Sequence, residues 1–188
     1  MTWRTRFLAG FGVAALTVAA LAGPVAAASV TSADRQGDGV GPGDVRALKL
    51  ENHSDVLTIR VRTEQPINLT TSPAWHRAGS RTLLRIYLDT DPATPGADYV
   101  VVLKAATGEI TTAIKPLIET TPRDGCIPSI GQPQPTIIQA AFGSSCVAGN
   151  GTVRAYASYR FDQGGDGTIQ SFDRAPNTGF GPVLALVL

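Results

Sequence analysis

From residue 44 onward, apolar and polar positions alternate with a period of two, the pattern of strands buried on one face. Leu57, Ile59 and Val61 alternate with Thr58, Arg60 and Arg62, which predicts a strand with the three apolar residues inward. Asp44 to Leu50 reads as its hairpin partner, turning through Asn52-His53-Ser54-Asp55. Leu84, Ile86 and Leu88 alternate with Arg85 and Tyr87, a second strand of the same kind. Tyr99 to Leu103 is a continuous β-branched run, as expected of a strand covered on both faces. Ile110 to Ile114 follows after the turn Thr107-Gly108, and Thr136 to Phe142 and Val153 to Phe161 are two more strands. Thr168 to Phe172 and Val183 to Leu188 close the series.

The expectation is an all-β fold, a two-sheet antiparallel β-sandwich of about eight or nine strands, with a closed barrel as the alternative. No stretch beyond the N-terminal segment holds a 3.6-residue period over three turns. The 20 Gly and 13 Pro serve as turn punctuation between short strands. Two longer irregular stretches, Gln65 to Ser80 and Leu117 to Pro135, read as loops, the second as a surface excursion. Residues 29–43 hold four glycines and a proline among scattered polar residues, and read as a flexible leader. The predicted organisation is therefore 1–28, 29–43 and a single β-sandwich domain over 44–188.

The first 28 residues have a different pattern. Arg4 and Arg6 precede an apolar run from Phe7 to Leu21, Gly23-Pro24 breaks it, and Ala26-Ala27-Ala28 follows. This is the layout of a cleavable secretory signal, helical in its apolar part, with the cut after Ala28. The run is about 15 residues, against roughly 20 for a membrane span. Thr5 separates the two arginines, which argues against a twin-arginine signal. The expected location is extracellular, and nothing after residue 28 reads as a span.

Removing this segment changes the charge. The chain has 16 Lys+Arg and 15 Asp+Glu, a net of +1; the signal takes two Arg and no acid, leaving 14 against 15. A near-neutral surface with only Lys49, Lys104 and Lys115 as lysines excludes nucleic acid as the expected partner. In an oxidising compartment the two cysteines, Cys126 and Cys146, are read as a disulfide. It closes a loop of about 20 residues and contributes roughly 3 kcal/mol in the chain-entropy model.

Four groups of residues carry candidate chemistry. Asp89-Thr90-Asp91-Pro92-Ala93-Thr94-Pro95-Gly96-Ala97-Asp98 joins two strands and holds carboxylates at its first, third and tenth positions. Oxygen ligands at this density suit calcium, so Asp89, Asp91 and Asp98 are the candidate ligands. A capped hairpin loop is the plainer reading. The EF-hand pattern is absent: Ala93, Thr94 and Val100 stand at its fifth, sixth and twelfth positions. Asp162-Gln163-Gly164-Gly165-Asp166-Gly167 reads first as a turn. His53 and His76 read as loop histidines. Tyr87, Tyr156 and Trp75 are candidate ligand-binding residues, because aromatic rings stack on the apolar faces of sugars. Cross-strand packing of the tyrosines is the plainer reading. No Gly-x-Ser-x-Gly elbow, His-Glu-x-x-His or phosphate loop occurs, and glutamates for a glycosidase pair are few: Glu51, Glu64, Glu109 and Glu119. Sequons at Asn52, Asn68 and Asn150 matter only in a eukaryotic secretory route.

Three pieces occur in order: Gly43-Asp44-Val45, Tyr87-Leu88-Asp89-Thr90-Asp91 with Gly96-Ala97-Asp98-Tyr99, and Asp173-Arg174-Ala175-Pro176. In these the chain resembles secreted β-sandwich proteins of actinobacteria, similar in layout to DOMON-like and family-9-type carbohydrate-binding domains, over about residues 43–188. The resemblance implies a ligand-binding or adhesive module without catalysis. The haem-binding variant of that family uses Met and His ligands, and the only methionine here is Met1. The leading expectation is a secreted, non-catalytic β-sandwich whose ligand the sequence does not name, with calcium as the candidate stabilising ion. A carbohydrate-binding module that takes extracellular polysaccharide or a cell-wall component is the first alternative. A small secreted hydrolase is the second.

Overall fold

The structure, a computed structural model, describes residues 28–117, 125–147, 149 and 151–186. It is a two-sheet antiparallel β-sandwich. The strands are β1 (Ala28–Ala33), β2 (Val45–His53), β3 (Val56–Thr63), β4 (Leu83–Asp89), β5 (Tyr99–Ala106), β6 (Glu109–Pro116), β7 (Ser129–Gln134), β8 (Ile137–Gly143), β9 (Thr152–Phe161), β10 (Ser171–Ala175) and β11 (Leu184–Ala185). One sheet has the order β1-β2-β3-β8-β7. The other has the order β10-β9-β4-β5-β6, with β11 paired to β9. A single-turn helix, α1 (Pro73–His76), lies in the connection from β3 to β4. The predicted signal segment falls outside the described residues except for Ala28, which opens β1.

The period-two pattern translates directly into packing. Leu57, Ile59 and Val61 are fully buried, as are Leu84 and Leu88, with Ile86 nearly so. Their polar neighbours Arg62 and Arg85 are exposed. The inner faces meet in one core that includes Val45, Leu48, Ile138, Val101, Leu103, Ile114 and Tyr159. In β5, Tyr99, Val100, Val101 and Leu103 are buried and Val102 is half-buried, which accounts for the unbroken apolar run.

Two strands were not expected. Residues 29–43, read as a flexible leader, begin with β1, whose register runs from Ala28 opposite Asn52 to Ala33 opposite Ala47. Its sequence, Ala-Ser-Val-Thr-Ser-Ala, alternates in burial but offers only Val30 as a sizeable inward group. An edge strand of this kind is held by its backbone ladder rather than by an apolar face. β7 lies inside the expected 117–135 loop. Its register shifts between Gly131 and Gln134, around Pro133, as is tolerated on an edge strand. The strand expected at 168–172 lies at Ser171–Ala175, and of the one expected at 183–188, Leu184–Ala185 pairs with β9, residues 187–188 lying outside the described residues.

Cys126 and Cys146 are bonded, with Cα atoms 5.6 Å apart. The bond joins the chain ahead of β7 to the 3-10 turn after β8, so it clamps that hairpin. Among the described residues, no helix is long and apolar enough to cross a membrane.

Candidate functional site

The outer faces of the two sheets differ in their charges. On the five-stranded sheet most of the strand cations are paired: Lys49 with Glu51 at 2.7 Å, Arg60 also with Glu51, and Arg46 with Glu64 at 2.9 Å, while the exposed Arg62 forms no ion pair among the described residues. Arg60 additionally donates to Gln139 Oε1 at 2.9 Å.

The outer face of the six-stranded sheet is built from the alternate positions that the inward apolar residues leave over. The ladder places Tyr87 opposite Tyr156 and Val100, Arg85 opposite Ser158 and Val102, and Leu83 opposite Arg160 and Lys104. On the edge strands Lys115 stands opposite Val100 and Phe172 opposite Arg160. Tyr87 and Tyr156 stack nearly parallel with ring centroids 4.5 Å apart. From the other flank of β9, the Arg174 guanidinium lies 4.1 Å from the Tyr156 centroid, within cation–π range. Phe180 meets Tyr156 edge-on at 5.1 Å, and Arg154 lies 4.9 Å from the Phe180 centroid. Both flanks of the Tyr156 ring are thus occupied, and burial pushes its phenol up from the usual value. The two tyrosines pack cross-strand, as in the plainer reading, and what this part of the face turns outward is polar edges and guanidinium groups.

Trp75 does not join them. It is 0% exposed and stacks on the equally buried Tyr159 at 6.2 Å. The expectation of a ligand-binding role at Trp75 is corrected: the single turn of α1 points the indole into the core, where its large apolar surface is removed from water.

The acidic loop is also different from the calcium expectation. Asp89 is 0% exposed, and its Oδ2 takes both Arg154 Nε at 2.7 Å and Arg154 Nη2 at 2.6 Å. Its Oδ1 accepts from Asp91 N at 3.0 Å. Asp98 Oδ2 accepts from Thr90 N and Oγ1 at 2.7 and 2.9 Å. Asp91 Oδ1 accepts from Ala93 N at 3.3 Å, inside its own turn. Each carboxylate has a separate partner, and the three do not converge. Among the described residues, the group of three carboxylates whose oxygens all come within 4.8 Å of one another is Asp34, Asp38 and Asp173. Asp34 and Asp38 lie in the stretch read as a leader, and only the pairing of β1 with β2 carries them to β10.

These acids adjoin the first and third pieces of the resemblance, which meet in space. Val45 N donates to Asp173 Oδ2 at 2.6 Å, and Val40 N to Ser171 Oγ at 3.0 Å. A Cβ on Gly43 would lie 2.5 Å from Ser171 Cβ and 2.8 Å from Phe161 Cβ, so only glycine fits there. Burial holds the Asp34 carboxyl up at about 6, with the Asp173 and Asp38 charges adding to the shift. Asp173 is raised in the same way by burial, and by Asp38 and Asp44.

The other candidates resolve into structure. Asp162, 0% exposed, accepts from Arg81 N, Asp166 N and Gly167 N at 3.0, 3.2 and 2.8 Å, which makes it the hub of its turn. His76 borders a cleft of about 640 Å³ together with Glu109 and Gln132. Its Nδ1 lies 3.1 Å from Gly108 O and its Nε2 2.5 Å from Leu69 O, so main-chain carbonyls engage both ring nitrogens. His53 is exposed at the end of β2. Asn52 is buried and Asn68 caps Thr70 and Thr71. Asn150 lies outside the described residues.

Comparison with known protein families, curated proteins and solved structures finds no match.

Proposed function

We propose that this chain is an exported, non-catalytic β-sandwich module that binds an extracellular polysaccharide or cell-wall polymer across the outer face of its six-stranded sheet. The observation that carries the reading is the contrast between the two outer faces. One pairs all its strand cations but Arg62 within itself, whereas the other presents several cations without an ion pair, the Tyr87–Tyr156 pair and an exposed Phe172 on one broad surface. A sheet face of this composition offers hydrogen-bond donors beside apolar shelves, which is what recognition of a chain of sugars requires. Export is supported by the N-terminal sequence pattern and agrees with the Cys126–Cys146 bond.

The test is retention of the purified protein on insoluble cellulose, chitin, xylan and bacterial cell wall, with soluble polysaccharides added as competitors. Retention on at least one matrix is expected, weakened by Tyr87→Ala. Arg62→Gln, on the opposite sheet, leaves it unchanged. Absence of retention on every matrix, with no soluble polysaccharide bound, ends the proposal.

A further inference from the structure

We infer that the ligand of this face is an acidic polysaccharide bearing about one carboxylate per sugar unit, held by a row of cations that crosses the whole sheet. The inference rests on the polysaccharide reading above and names the class of polymer.

Each of the five strands along the path of the sheet gives the row one outward cation: Arg174 from β10, Arg160 from β9, Arg85 from β4, Lys104 from β5 and Lys115 from β6. The register fixes their offsets. Leu83 stands between Arg160 and Lys104, and Ser158 between Arg174 and Arg85. Neighbouring cations are therefore one strand and two residues apart, and Lys115 lies four residues beyond Thr111, the partner of Lys104. With strands about 4.8 Å apart, the row extends about 20 Å across the sheet.

The cations lack counter-charges of their own. Among the described residues, none of the five forms an ion pair; the pairs present use Arg46, Lys49, Arg60 and Arg154. Arg174 lies on Tyr156 and donates to Gly179 O at 3.4 Å. Of the two acids on the outward positions of these strands, Asp89 is neutralised by Arg154, and Glu109 stands at the far end of β6, opposite Ala106. Like charges gathered in this way repel one another, and a polyanion laid along the row relieves the repulsion. Leu83, Val102 and Phe172 lie between the cations, and Phe172 is 62% exposed. They give sugar carbon faces an apolar footing, which a bare phosphate backbone would not use.

Charge spacing separates the possible polyanions. Duplex DNA carries one charge per about 1.7 Å, so a 20 Å row would meet roughly twelve phosphates with five cations. A polyuronate carries one carboxylate per sugar, close to one per cation. Arginine forks also match carboxylates in bidentate geometry.

The test measures affinity of the purified protein for polygalacturonate and alginate, for methyl-esterified polygalacturonate, for duplex DNA and for phosphatidylglycerol vesicles. Polygalacturonate or alginate is expected to bind at least tenfold more tightly than the methyl ester, weakening as salt is raised. Arg85→Gln combined with Arg160→Gln loses at least tenfold in affinity while its melting temperature stays at the wild-type value, and Arg62→Gln leaves affinity unchanged. Equal binding of the ester overturns the acidic class and spares the polysaccharide reading. Tighter binding of DNA or vesicles reassigns the row to another polyanion and overturns the inference. Failure to bind any polysaccharide, neutral or acidic, overturns both.

Discussion

Replacing Asp89 by asparagine tests whether the acidic loop is held by an ion pair or built for a metal. The carboxylate is 0% exposed and receives two nitrogens of Arg154, whose side chain is 27% exposed. Removing one partner of a fully buried pair costs about 3–5 kcal/mol because the other charge is stranded. Here the stranded guanidinium keeps access to water and to the Phe180 ring, which lowers the expected cost to about 2 kcal/mol. Asparagine retains an oxygen for Asp91 N, so that bond contributes little to the loss. For a domain of this size about 2 kcal/mol corresponds to a fall in Tm of roughly 4–8 °C. The assay is a double-mutant cycle of Asp89→Asn and Arg154→Met by urea unfolding, in EDTA and in millimolar Ca²⁺. The two changes should be non-additive by more than 1 kcal/mol, equally in both buffers. Additive effects, or a loss of stability that appears only with Ca²⁺ present, would refute the ion-pair account.

Three further outcomes are expected. Asp34 has its carboxyl raised to about 6 in the folded chain from 3.8, so its contribution to stability is full below about pH 4 and lost as pH rises through about 6; discounted for its partial exposure, the loss is about 1 kcal/mol. Urea midpoints at pH 4 and pH 7 should therefore fall less in Asp34→Asn than in the wild type, and an identical pH dependence in the two proteins removes the argument. Trp75→Ala should cost about 3–5 kcal/mol as a core cavity, against about 1 kcal/mol for Tyr87→Ala on the outer face; comparable Tm shifts for the two would contradict the burial of Trp75. Mass spectrometry of the unreduced protein should find no thiol open to alkylation, and reduction should lower stability by about 3 kcal/mol; two reactive thiols would show that Cys126 and Cys146 are not joined.

The sandwich was legible because its central strands carry their own burial code: Leu57-Ile59-Val61 and Leu84-Ile86-Leu88 can remove three apolar side chains from water only with a period of two. The same code placed Tyr87, Tyr156 and the neighbouring arginines on an outward face, so part of the candidate surface could be read from the chain. β1 and β7 carry too weak a code. One is small and polar and the other contains proline, and each exists because a neighbouring strand supplies a backbone ladder.

The sequence by itself determined the class of fold, the inward and outward faces of the central strands, and the pair of cysteines. Only the tertiary structure decided which side chains stand together. Strand order assembles one cation from each of β10, β9, β4, β5 and β6 into a row, although their sequence positions run from 85 to 174. Pairing of β1 with β2 brings Asp34 and Asp38 to Asp173, and the turn of α1 directs Trp75 inward. Local periodicity records whether a residue meets water or core, but the partner it meets depends on the path of the chain between strands.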